Sequence, residues 1–138
     1  MATGNRGFKM SEKRLFSIRG ATFCENTKDS ITNCVGEMCR LIFSENGLSS
    51  DDIVSIQFTM TEDLDVLNPA TALRLYKELG LDVSAVPLFC SQEVKTVGML
   101  KKVIRVLVTC YMPSDAGIHP AYINGAQILR PDLGENRK

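Results

Sequence analysis

The stretch VIRVLVTC, residues 103–110, has the composition of a buried strand, yet it carries a guanidinium, Arg105, inside its apolar run. Two more arginines keep similar company: Arg19 within SIRGA and Arg130 within ILRPD, each directly after an isoleucine or leucine. Taking a guanidinium out of water is costly unless an anion and good hydrogen bonds meet it, so each needs a counter-charge. For any one of them that partner could be a resident carboxylate such as Glu93 or Asp132, or the strand could lie at an edge where the side chain reaches water. Three together point to a pocket for a small polyanion, because the planar, permanently charged fork of arginine grips carboxylates bidentately. A dicarboxylate suits such a pocket better than a phosphate, since no glycine-rich loop opens a helix here.

Other chemistries lack parts. The single histidine, His119, lies beside Pro120, which leaves neither a histidine metal site nor a nucleophile and histidine relay. Cysteines 24, 34, 39, 90 and 110 are odd in number and lack zinc-knuckle spacing, so free thiols are expected. Sixteen basic residues cancel 16 acidic ones, which argues against a nucleic-acid or membrane-surface partner. No window reaches the roughly 18 to 20 apolar residues of a membrane span, and the start MATGNRGFKMSEKR lacks a secretory core, so a cytoplasmic protein is expected.

The elements that must position the arginines follow from periodicity. A length of 138 residues suits one domain, expected over 13–133, between a flexible N-terminal tail at 1–12 and a mobile C-terminal tail at 134–138. RLFSIRGATF alternates as a strand; Asn26 or Thr27 then caps the longest helix, whose positions Ile31, Cys34, Val35, Met38, Leu41 and Ile42 share a face until Gly47 stops it. After a capped turn at SSDDI, Val54, Ile56, Phe58 and Met60 alternate with polar residues in a second strand. Asn68, Pro69 and Gly80 bracket a helix over 69–79. VSAVPLFC predicts an edge strand, VIRVLVTCY a central one, and AYINGAQIL a last strand weakened at Gly125, with Arg130 at its end. The fold class is α+β: a mixed β-sheet with helices packed on one face, whose uncovered side calls for an oligomer.

Four segments, IRGAT, VPLFCSQE, MLKKVIRVLVT and LRPDL, in this order and at these separations, resemble the monofunctional trimeric class of chorismate mutase, the AroH type, from about Arg14 to Leu133. The resemblance implies a homotrimeric pseudo α/β-barrel with each pocket between neighbouring subunits. It also implies an isomerase that carries out the intramolecular Claisen rearrangement of chorismate to prephenate, without metal or cofactor. Arg105 would then face the ether oxygen that gains charge as the carbon–oxygen bond breaks. Arg19 would grip the side-chain carboxylate, helped by Tyr122, while Glu93 and Cys90 address the ring hydroxyl. Leu129 and Arg130 would lie near the mouth, with PDLGENRK as a segment able to fold over it. Taken singly, Glu93 could equally be a simple ion-pair partner, Cys90 a small buried hydrophobe and Tyr122 packing.

The chain departs from the family at one pocket wall. A helix start that is usually aromatic, Pro, Ala, Lys reads Asn68, Pro69, Ala70, Thr71, and Phe89 replaces the usual small hydroxyl residue before the cysteine. Losing a partly buried lysine would cost a dianion about 1 to 3 kcal/mol of binding. Arg74, one helical turn after Thr71, is the candidate to replace it. Two alternatives therefore stand beside chorismate: a different enol-ether or cyclic acid as substrate, or a non-catalytic trimeric module that binds a metabolite.

Overall fold

The computed structural model describes residues 12–134. Of the expected tails at 1–12 and 134–138, all but Glu12 and Gly134 lie outside the described residues. Strand β1, Lys13–Phe23, buries Phe16, Ile18 and Gly20 and turns Leu15, Ser17 and Arg19 outward, as the alternation predicts. Helix α1, Lys28–Glu45, begins where Thr27 accepts from the Ser30 N–H at 3.1 Å, and it ends before Gly47 at φ +63°. Its buried face carries Ile31, Val35, Met38, Cys39 and Ile42. A capping box between Ser49 and Asp52 closes the short 3-10 turn Ser50–Asp52 ahead of β2, Ile53–Met60.

Three further strands complete the sheet: β3, Leu88–Gln92; β4, Val103–Pro113; and β5, Ala121–Ile123. The order is β3-β2-β4-β1-β5. Strand β4 runs antiparallel to both β1 and β2, whereas the two edge pairs, β2/β3 and β1/β5, are parallel. Helices α1 and α2, Pro69–Leu75, cover one face of this mixed α+β sheet, and the main core lies between them and the strands. On the opposite face, Tyr122 and Ala126 pack over Ala21 to form a small second core at the β5 edge. All five cysteines are free, and among the described residues no helix is long and apolar enough to cross a membrane.

Four expectations need correction. A bulge between Ile53 and Ser55 makes Val54 the extra residue, so Ile53 is buried where the simple alternation puts Val54. Helix α2 stops at Leu75 rather than 79, because Tyr76 turns extended and lays its ring in the space a side chain at Gly36 of α1 would occupy. Strand β3 begins only after Pro87, whose carbonyl still accepts from the Ile56 N–H at 3.0 Å; it is nevertheless an edge strand, as the proline implies. The last strand ends at Ile123. Asn124 (φ +55°) and Gly125 (φ +90°) are left-handed, which turns the chain into the 3-10 segment Ala126–Leu129 and the short α3, Pro131–Gly134. Arg130 is thus carried by a turn, not by a strand.

Because the Tyr76 ring fills the place of a side chain at residue 36, Gly36→Ala should destabilise the protein by about 1 to 3 kcal/mol in chemical denaturation. The penalty should shrink in a Tyr76→Ala background; an unchanged penalty there would separate the two residues.

Candidate active site

Direct pairing across the strands sets one row of the sheet: Ser91, Thr59, Arg105, Ala21 and Tyr122 lie side by side from the β3 edge to the β5 edge. Directly paired residues present their side chains on the same face, so Arg105 rises between Thr59 and Ala21 on the side away from the helices. Arg19 pairs with Leu107 and is the diagonal neighbour of Arg105 on that face. Together with Gly20, Gln57, Glu93, Val106, Tyr122 and Arg130 they line a cavity of about 390 Å³.

The three arginines meet different fates. Arg19 has no hydrogen-bond or ion-pair partner among the described residues. Arg130 is forked by Asp132, Nε to Oδ1 at 3.1 Å and Nη2 to Oδ2 at 2.8 Å, which is the resident-acid arrangement. Arg105 stands between these extremes: its Nε lies 3.3 Å from Glu93 Oε2, yet the angle is poor and this buried nitrogen makes no hydrogen bond. The other carboxylate oxygen, Glu93 Oε1, accepts from Thr59 Oγ1. Among the described residues three guanidiniums thus face two carboxylates, an excess of positive charge beside open space. Burial pushes the Tyr122 phenol above its usual range despite the opposing influence of Arg19, Arg130 and Arg105, so it stays a protonated donor at neutral pH.

The remaining candidates fall into a second group. Leu129 lines an adjoining hollow of about 360 Å³ that also touches Glu93 and Arg105. Phe89 pairs with Gln57 and faces the helix-free side at the β3 edge, outside the cavity lining. Asn68, Ala70, Thr71, Arg74 and Cys90 are not brought to the cavity either; they cluster where α2 packs against β3. There Cys90 Sγ accepts from the Ala70 N–H at 3.3 Å and lies 3.8 Å from Asn68 Oδ1. Burial raises the thiol above its usual range, and the charge of Arg74 acts on it in the opposite sense. Asn68 is committed to capping, accepting from the Thr71 N–H at 2.9 Å, while Phe89 stands exposed at 69%. Four interstrand steps, roughly 19 Å along the sheet, separate the β3 edge from the β5 edge.

Gln57 and Thr59 line the cavity but escaped the sequence reading. The polar phase of the β2 alternation marked their face; only the β2/β4 register puts them beside Arg105. Among the described residues no group of three or more His, Cys, Asp or Glu side chains is placed to hold a metal ion.

The family model for chorismate mutase type I matches residues 15–133. The chain belongs to that family. It is 37% identical over 119 residues to chorismate mutase AroH of Bacillus subtilis (strain 168), spanning 84% of this chain and 90% of the relative. Chorismate mutase AroH of Thermus thermophilus is 38% identical over 120 residues, spanning 84% and 93%. Among solved structures, a chorismate mutase from Clostridium thermocellum superposes with a TM-score of 0.69 at 36% identity, over 82% of this chain and 98% of that one. Within this chorismate mutase family member, the arginine-lined cavity is the concave charged site of the sheet.

The Tyr122 shift has a measurable sign. Its folded-state pKa lies above the unfolded value of about 10, so the folded form holds the proton longer and the protein loses stability as pH rises through the unfolded value. In a tyrosinate absorbance titration, one of the 3 tyrosines should ionise later than free tyrosine, and Tyr122→Phe should remove a late component. A Tyr122→Phe protein that keeps the whole late component would contradict the burial of this phenol.

Proposed function

We propose that the protein is a chorismate mutase that converts chorismate to prephenate at the Arg19–Arg105 cavity. Membership of the type I family over residues 15–133 carries the reaction. The observation that carries the site is a pair of neighbouring guanidiniums, one without a partner among the described residues and one half-engaged, on the wall of an open cavity. The Claisen rearrangement breaks a carbon–oxygen bond while a carbon–carbon bond forms within one molecule. It therefore asks the protein for two things: a grip on the folded conformer of a flexible dianion, and positive charge where the ether oxygen becomes negative.

In this reading Arg105 donates to the ether oxygen and an adjacent carboxylate, more strongly in the transition state than in the ground state. Arg19 and the protonated Tyr122 hold the side-chain carboxylate. Glu93 accepts from the ring hydroxyl, with the Cys90 thiol as its companion. Leu129 and Arg130 stand at the mouth, where Asp132 releases Arg130 when a ligand carboxylate competes for it. The step itself needs no proton transfer.

A substrate of one six-membered ring cannot touch both Tyr122 and Cys90 of the same chain. We therefore infer a homotrimer in which the α2 start and the β3 edge of one subunit close the cavity of the next. Exposed apolar residues support this: Leu15 and Tyr111 pair across β1 and β4 on the helix-free face at 47% and 46% exposure, and Phe89 projects near the β3 edge. In such an assembly Arg74 brings a cation to the wall where Thr71 stands. We infer a cytoplasmic site of action, in keeping with the five free thiols. Thr71 and Phe89 favour one second reading, a related cyclic diacid as substrate.

Loss of the diene absorbance of chorismate, with the product identified as prephenate by NMR, is the test. Arg105→Ala should lower kcat by about a hundredfold or more, and Arg105→Lys should stay well below wild type because it keeps charge but loses the planar fork. Chorismate left unchanged by wild type, with a related acid consumed, would favour the second reading; full turnover by Arg105→Ala would move the site elsewhere. Mass in solution should be that of three chains, and a fully active monomer would overturn the shared pocket.

A further inference from the structure

The Glu93 carboxylate is divided between two partners. Oε1 accepts from Thr59 Oγ1, while Oε2 lies 3.3 Å from Arg105 Nε. Thr59 and Arg105 pair directly across β2 and β4, so their side chains stand next to each other under the same carboxylate. The Glu93 backbone is tied down as well, its N–H bonded to the Met60 carbonyl at 2.8 Å one residue beyond the end of β3. With its backbone N–H bonded and one oxygen engaged by a hydroxyl, the carboxylate brings only Oε2 close to the Arg105 Nε.

The consequence is visible at Arg105. Guanidinium and carboxylate groups this close ordinarily close into a two-point fork, as Arg130 and Asp132 do in this same chain. At Arg105 the fork is absent, and the buried Nε is left without an acceptor beside a carboxylate oxygen. A buried donor left unmet disfavours the empty protein, so something must compete for Glu93, and the Thr59 hydroxyl is the group that does.

We propose that Thr59 is a positioning residue that holds Glu93 off a closed fork with Arg105, keeping that guanidinium available to a diacid in the cavity. This rests on the reading of the cavity as the chorismate site. Without the hydroxyl, Glu93 swings onto Arg105, neutralises it, and must be displaced by each incoming substrate. In this proposal the hydroxyl serves the reaction through Glu93.

Thr59→Val keeps the β-branched shape and deletes the hydroxyl; Thr59→Ser keeps the hydroxyl. We expect Thr59→Val to lower kcat/KM for chorismate by roughly tenfold or more, with a rise in KM as the larger part, and Thr59→Ser to stay near wild type. The affinity for prephenate, measured by calorimetry on wild type, Thr59→Val, Glu93→Ala and the double variant, isolates the coupling. Thr59→Val should weaken prephenate binding when Glu93 is present and have no effect when it is alanine. An equal loss in both backgrounds would mean that the threonine acts on its own, and this too overturns the proposal. If wild type turns chorismate over and Thr59→Val matches it, this proposal alone falls. A wild type that neither converts chorismate nor binds prephenate removes the reading of the cavity, and the proposal with it.

Discussion

A guanidinium cannot be relieved of its charge by giving up a proton at any ordinary pH, so a strand that carries one must always supply it with a partner. Arg105 sits at the centre of a row that crosses all five strands of this sheet, and the surroundings meet that demand only in part. Glu93 approaches but is held by Thr59, while Arg19 next to it has no acid of its own among the described residues. The sheet is thereby left with a standing requirement for an external anion. The proposed diacid would satisfy it, and the fold around the cavity can be understood as the scaffold that keeps the requirement from being met internally.

That scaffold depends on ordinary packing. Strand β4 is buried on its helix-facing side through Ile104, Val106, Val108 and Cys110, which fixes the opposite phase, Arg105 and Leu107, toward the cavity. A slip of one residue would exchange the two sets and put a guanidinium into the main core, so the hydrophobic pattern locks the register that presents the charge. On the other flank, the left-handed pair Asn124 and Gly125 turns the chain back so that Tyr122 and Ala126 cover Ala21 and Arg130 reaches the rim. The row from Ser91 to Tyr122 spans the whole sheet, but its two ends are too far apart for one small ligand. In the proposed trimer, the β3 edge of another copy closes the site.

Much of this was legible in the residues. The Thr27 cap and the Gly47 stop delimit α1, and the alternation in β1 gives the face of Arg19, because these elements are governed by local chemistry and by period. What was misread depends on distant partners. The end of α2 is set by Tyr76 docking on Gly36, forty residues earlier in the chain, and the phase of β2 is shifted at Val54 by a bulge against β4. The last strand was drawn too long because AQIL has strand-like composition, whereas two left-handed residues before it redirect the chain. For the site, residue type alone singled out the arginines, but Thr59 is an unremarkable strand threonine until the β2/β4 register sets it beside Arg105. Asn68, Thr71 and Cys90 meet where α2 packs against β3, and the sheet order, which no local pattern reveals, separates them from the cavity of their own chain.

The structure of the protein with prephenate bound tests the central claim most directly. The account predicts the diacid in the Arg19–Arg105 cavity, with one carboxylate on Arg19, the Arg105 guanidinium turned onto the ligand, and the β3 edge of a second subunit completing the enclosure. A ligand seated elsewhere, with Arg105 still engaged only by Glu93, would contradict it.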